Sequence, residues 1–185
     1  MKIFLIRHAK VQYSWQKKYS SSSFNKACKE YDSASIVKIS NDKVENINAI
    51  VGKNFEILTS ELFRTKDTAK QLFGNTKFVS SILLNEIPLL SYCTTEKEKS
   101  TWKWKIFGRL QWLLGNKKQK SKEIIIKEIK NIIEYICKSK INKVVIGHGF
   151  YFLILIKELR KIGWKVNSVG RMKNLDIVIC KKEDA

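Results

Sequence analysis

Proline is nearly absent from this chain: Pro88 is its single example, which excludes a proline-rich linker. Cys28, Cys93, Cys137 and Cys180 are widely scattered, with no CxxC pair. That spacing argues against a zinc site or a disulfide framework and predicts thiols in a reducing cytoplasm. No segment approaches the roughly 20 apolar residues needed to span a bilayer. At the amino terminus, Arg7 and His8 end the short run Ile3–Ile6 well before it could serve as a signal-peptide core. No internal repeat is present. Acidic residues are scarce too, 17 against 36 basic ones, for a formal charge of +19. Most of that charge is dispersed lysine. Arginine, whose planar fork suits phosphate, occurs only at Arg7, Arg64, Arg109, Arg160 and Arg171, so no specific nucleic-acid partner is predicted.

What the chain does contain is enough apolar material, 44% of 185 residues, for one substantial core. The expectation is a single domain over residues 1–185, with an insert at about 97–122. Ile3–Ile6 and Lys143–Ile146 are short apolar runs that fit buried strands. Ile57–Thr59, Phe78–Val79 and Leu175–Cys180 are further strand candidates. Helical spacing of apolar residues appears over Ile36–Val51, Leu62–Phe73, Lys122–Lys138 and Phe150–Ile162. The Ser20–Ser23 run reads as a mobile loop. Strands alternating with helices predict an α/β fold, a mostly parallel sheet with helices on both faces. Ligand sites in such sheets gather past the carboxyl ends of strands. The only two histidines, His8 and His148, follow two of the predicted strands directly.

Four segments carry chemistry: Leu5-Ile6-Arg7-His8-Ala9, Thr59-Ser60-Glu61-Leu62-Phe63-Arg64-Thr65, Leu84-Asn85-Glu86 and Gly147-His148-Gly149. Two histidines, two arginines and a glutamate suffice for phosphoryl transfer. The guanidinium forks can hold equatorial oxygens, one imidazole can attack phosphorus, and a carboxylic acid can protonate the departing oxygen. Taken singly, His8 suits a hydrogen-bonded structural histidine, Arg64 a solvated helix residue and Glu86 a surface carboxylate. Arg7 after a buried strand needs an anion to offset its burial. Gly147 and Gly149 leave room for close backbone approach beside His148. The joint occurrence of these residues makes a site.

The order and wording of the segments resemble the histidine phosphatase superfamily, which includes cofactor-dependent phosphoglycerate mutase. That family runs a strand into Arg-His-Gly, continues with Ser-x-Leu-x-Arg-Ala-x-x-Thr-Ala and Leu-x-Glu, and returns with a strand into His-Gly. Here these read Arg7-His8-Ala9, Ser60 to Ala69, Leu84-Asn85-Glu86 and His148-Gly149. The resemblance covers roughly residues 1–150. It implies a phosphoglycerate mutase-like fold and a phosphatase acting on a small phosphorylated substrate. It also implies a phosphohistidine on His8, a phosphate pocket of Arg7, Arg64 and His148, and Glu86 as general acid. No cofactor and no metal are implied. A mutase shares this site, and a non-catalytic basic binding module is the alternative from another class. A protonated His148 is expected to help the arginines keep His8 neutral. Ala9 stands where the family has glycine, which matters only if that position needs φ > 0. Lys10 and Ile87-Pro88-Leu89-Leu90 also depart from the pattern.

Residues 97–122 hold nine basic residues, one acid (Glu98) and three tryptophans. Ile106, Phe107, Leu110, Leu113 and Leu114 fall at helical spacing and predict a basic amphipathic helix, with Gly115 able to cap it. Its apolar stripe could pack onto the domain. The segment could instead form a lid that draws in an anionic substrate, or lie in an anionic membrane interface. Single-stranded nucleic acid is a further option for lysines interleaved with aromatics. The segment is expected to tune substrate choice and to supply no chemistry.

Overall fold

The structure, a computed structural model, describes residues 1–115, 120–167 and 170–182. Eight strands and six α-helices follow one another along the described chain. They are β1 (Lys2–Arg7), β2 (Lys18–Tyr19), α1 (Ser21–Ser33), α2 (Asn41–Val51), β3 (Phe55–Ser60), α3 (Phe63–Phe73) and β4 (Phe78–Ser81). After them come β5 (Lys99–Ser100), α4 (Thr101–Leu113), α5 (Lys122–Cys137), β6 (Asn142–Gly147), α6 (Gly149–Lys161), β7 (Lys165–Val166) and β8 (Ile177–Lys181). A six-stranded sheet has the order β4-β3-β6-β1-β8-β7. β1, β3, β4 and β6 are parallel, while β8 runs antiparallel to β1. This is the mostly parallel sheet with helices on both faces that the apolar runs predict.

The alternation of a strand's side chains divides the core in two. Ile3, Leu5, Leu58 and Val145 pack with α5 and α6 residues such as Ile129, Ile136 and Phe152. Phe4, Ile6, Ile57, Val144 and Ile146 pack with Ile47, Val51, Ala69 and Leu72 of α2 and α3. Both faces being covered, the central strands read as continuous apolar runs, which is why they were visible in the sequence.

Three expectations are corrected. Ser20–Ser23 is not a loop: Ser20 caps α1, its side chain accepting the Ser23 N–H, and Ser21 to Ser23 form the first turn. Phe24, Ala27, Cys28 and Tyr31 fall at helical spacing along α1, a short stripe that follows the serine run taken for a loop. The second helix begins at Asn41, because Ile36 pairs with Val11 in an isolated bridge. The last strand begins at Ile177, two residues late, since Leu175 turns with φ at 62°.

The helix predicted within 97–122 exists as α4, but it is turned relative to its predicted stripe. Trp104, Gly108 and Trp112 are buried, whereas Ile106, Phe107, Leu110, Leu113 and Leu114 are exposed. The indoles win the inner face because each buries a large area and finds a partner for its N–H. Trp104 donates to the Tyr19 carbonyl and stacks on Phe24; Trp112 donates to the Lys120 carbonyl. Gly108 lets the helix close in, since a Cβ there would stand 2.7 Å from the Leu90 carbonyl oxygen. Residues 116–119 of the segment lie outside the described residues.

Candidate active site

Strand register builds the site. Arg7 lies opposite Gly147 in the parallel pair of β1 and β6, so the next residue of each strand is a histidine. The His8 and His148 rings stand 5.3 Å apart between centroids. β3 ends beside them at Ser60 and leads into α3, which carries Arg64. A short 3-10 turn after β4, Ile82–Leu84, delivers Asn85 and Glu86, and the Asn85 side chain accepts the Glu61 N–H.

The backbone fixes the His8 ring. Its Nδ1 lies 2.7 Å from the Ala9 carbonyl, which can only accept, so Nδ1 carries the proton and Nε2 keeps a free lone pair. The Ala9 N–H donates to the Thr68 hydroxyl, which in turn donates to the Arg64 carbonyl. Thr68 thereby ties the first two motifs together. Ala9 is not among the residues with positive φ, so glycine is not needed there.

Burial, then the Arg64 charge, push the His8 imidazole down to about 3, with a smaller push from Arg7; its hydrogen bond to Ala9 pulls the other way. His148 is fully buried, and burial holds it well below the ordinary histidine range, reinforced by Arg64, His8 and Arg7. The expected protonated His148 is therefore corrected: both imidazoles are neutral near pH 7, and the arginines with burial suffice to keep His8 nucleophilic. His148 Nε2 lies 2.9 Å from the Ser60 hydroxyl oxygen, which also accepts the Leu62 N–H. The Thr65 hydroxyl donates to the Ser60 or Leu62 carbonyl and lies 2.8 Å from the Ser60 oxygen, so the Ser60 proton can go to Thr65 Oγ1 or to His148 Nε2; the second choice leaves the ring proton on Nδ1.

A cavity of about 710 Å³ opens past the carboxyl ends of these strands, and Arg7, His8, Arg64 and Glu86 line it. His148 stands behind its wall. Arg7 donates one Nη to the Met172 carbonyl, and Arg64 pairs with Asp32 at 2.8 Å. Three buried nitrogens here have no hydrogen-bond partner: Arg7 Nε, Arg64 Nε and His148 Nδ1. Gly149 lines the cavity beside Arg7; a Cβ there would stand 3.3 Å from Arg7 Nε, so the glycine makes room for that guanidinium.

Glu86 is held by the Ile87 N–H and by the Tyr151 N–H in the first turn of α6. Arg109 of α4 reaches its other oxygen at 3.8 Å, donates to the Ile87 carbonyl and lies over the Phe150 ring at 4.2 Å. That contact brings residues 97–122 to the wall of the cavity. Asp32, Ser60 and Asn174, which donates to the His8 carbonyl, are further participants that sequence reading missed. One signal was available. Arg7, Arg64, Arg109 and Arg171 all line the cavity, leaving Arg160 alone outside. In a lysine-rich chain, arginine is retained where a planar fork is used.

Among the described residues, no group of three His, Cys, Asp or Glu side chains is placed to hold a metal ion, and no helix is long and apolar enough to cross a membrane. The four cysteines are unpaired.

The neutral histidines set a pH dependence of stability. Above pH 6.5 neither the folded nor the unfolded form protonates them. Below it, the unfolded chain binds protons that folded His8 refuses down to about pH 3. Stability should fall as pH drops through that window, by on the order of 4 kcal/mol for His8 at its lower end. Urea unfolding from pH 7 to pH 4 checks this. His8→Asn should flatten the decline, and an equal decline in both proteins would show that His8 is not held neutral.

No family model matches the chain, and no curated protein matches it in sequence. Solved structures do match. The product of an open reading frame of Mycobacterium tuberculosis has 16% identity, covers 98% of this chain over 91% of its own, and has a TM-score of 0.66. Phosphoserine phosphatase of Entamoeba histolytica, solved with 3-phosphoglyceric acid, has 16% identity over 96% of this chain and 89% of its own, with a TM-score of 0.60. A mycobacterial glucosyl-3-phosphoglycerate phosphatase, solved with VO3, has 15% identity over 96% and 91%, with a TM-score of 0.63. The chain therefore has the phosphoglycerate mutase-like fold that the motif order implied.

Proposed function

We propose that this protein is a histidine-type phosphatase that hydrolyses phosphate monoesters through a phosphohistidine on His8. One observation carries the reading. Arg7 Nε, Arg64 Nε and His148 Nδ1 are buried without partners around a neutral histidine whose Nε2 is free. Buried donors left unpaired are costly, and a phosphate's equatorial oxygens would satisfy all three. For a phosphate to accept from His148 Nδ1, the Ser60 hydroxyl must donate to Nε2, across the 2.9 Å that separates them.

In the first step His8 Nε2 attacks phosphorus, the P–N bond forms, the bond to the ester oxygen breaks, and Glu86 gives that oxygen a proton. In the second, water attacks the phosphorus, Glu86 takes the water's proton, and the P–N bond breaks to release phosphate and neutral His8. Arg7 and Arg64 stabilise the charge on the transferring group, so no metal or cofactor is invoked. The neighbours named for phosphoserine and glucosyl-3-phosphoglycerate support a small phosphorylated substrate. The same proposal includes one domain over residues 1–185, an anionic contact through residues 97–122, and a cytoplasmic location.

Trapping the intermediate tests this. Brief reaction with a nitrophenyl phosphate followed by an alkaline quench should leave phosphate on His8, detected by mass spectrometry of the peptide. Turnover should persist in chelator. Phosphate found on another residue, or turnover lost to chelator and restored by a divalent metal, would overturn the mechanism.

A further inference from the structure

We infer that the outer face of α4 docks onto a bilayer surface containing anionic lipid. This narrows the anionic contact proposed above to one partner. α4 is apolar on both sides. Its inner face, Trp104, Gly108 and Trp112, is committed to the protein, so the helix cannot rotate to hide the other. On that other side Trp102, Ile106, Phe107, Leu110, Leu113 and Leu114 are between 43% and 87% exposed. At a helical period they share an arc of about 140°, interrupted only by Lys103. A large apolar face on a helix is expected to be covered; Phe107 meets the Tyr92 ring at one margin, and among the described residues the face is otherwise exposed.

Charge selects the occupant. Lys103 stands within the outer face, while Lys105 and Arg109 of the same helix turn to the cavity, and the chain as a whole is strongly basic. A second copy seated on this face would bring two chains of +19 together. An anionic bilayer instead offers headgroups to the lysines and an acyl boundary to the leucines. Trp102, beside Lys103, has the amphipathic ring favoured at such a boundary.

The test uses the full chain without substrate, so it stands or falls apart from the phosphatase reading. Cosedimentation with vesicles of phosphatidylcholine mixed with phosphatidylglycerol should show binding roughly tenfold tighter than with phosphatidylcholine alone. Leu110→Asp should weaken it by about tenfold or more. Leu110 is exposed, so the variant should keep its unfolding midpoint. Lys103→Glu, with the apolar face intact, should weaken binding to the mixed vesicles only. Equal binding to both vesicle types, or no effect of either substitution, would overturn the inference. So would a dimer in sedimentation that Leu110→Asp dissolves, which would assign the face to a second copy.

Discussion

His8→Ala should lower kcat on a phosphate ester by about four orders of magnitude or more, with the protein still folded. His8 is the one side chain in the cavity that is both neutral and fixed with a free ring nitrogen. Without it no P–N bond can form, and water must attack a phosphate that the arginines still bind. The substitution removes one hydrogen bond, to the Ala9 carbonyl, and a histidine held uncharged against its ordinary titration. Its cost in stability should therefore be small at neutral pH and smaller still in acid. Steady-state kinetics beside an unfolding curve measures both. Activity near wild type in a folded variant would place the nucleophile elsewhere.

Arg64→Met should cost on the order of a thousandfold in kcat/KM and a comparable share of orthovanadate affinity. The Arg64 side chain is buried, with Nε unpartnered and one Nη on Asp32. Asp32 orients the fork, leaving its other donors for the phosphate. Methionine fills similar space without a charge, and the released Asp32 is half exposed and can be solvated, so folding should survive. Arg64→Lys should not restore activity, because an ammonium cannot present two donors in a plane. Titration with orthovanadate separates the possibilities. Unchanged affinity in Arg64→Met would mean that Arg64 serves only to hold Asp32 and α1 in place.

Much of the fold was legible in the sequence, and for a local reason. Ile3–Ile6, Lys143–Ile146 and the isoleucine stripe of α5 each satisfy a periodicity that one segment expresses by itself. The placement of His8 and His148 at strand ends follows from the same runs. Arg7, His8, Arg64 and Glu86, named from motif order, do come to one cavity, with His148 directly behind it.

Other features had no local signal. Local periodicity could not tell which side of α4 is buried, because the helix is apolar on both; Trp104 and Trp112 settle it through partners at Tyr19, Phe24 and Lys120. Arg109 meets Glu86 only because Gly108 lets α4 close onto Leu90. Asp32 reaches Arg64 from α1, 32 residues away in the chain. The neutrality of His148 is set by desolvation and by charges from distant segments, a sum no segment carries. The sequence by itself determined the central strands and most of the helices, and which side chains carry the groups that phosphoryl transfer needs, since both are properties of short stretches. Which faces are hidden, which donors are left unpaired and which protons are held were decided by tertiary structure, because burial and electrostatics depend on neighbours far apart in the chain.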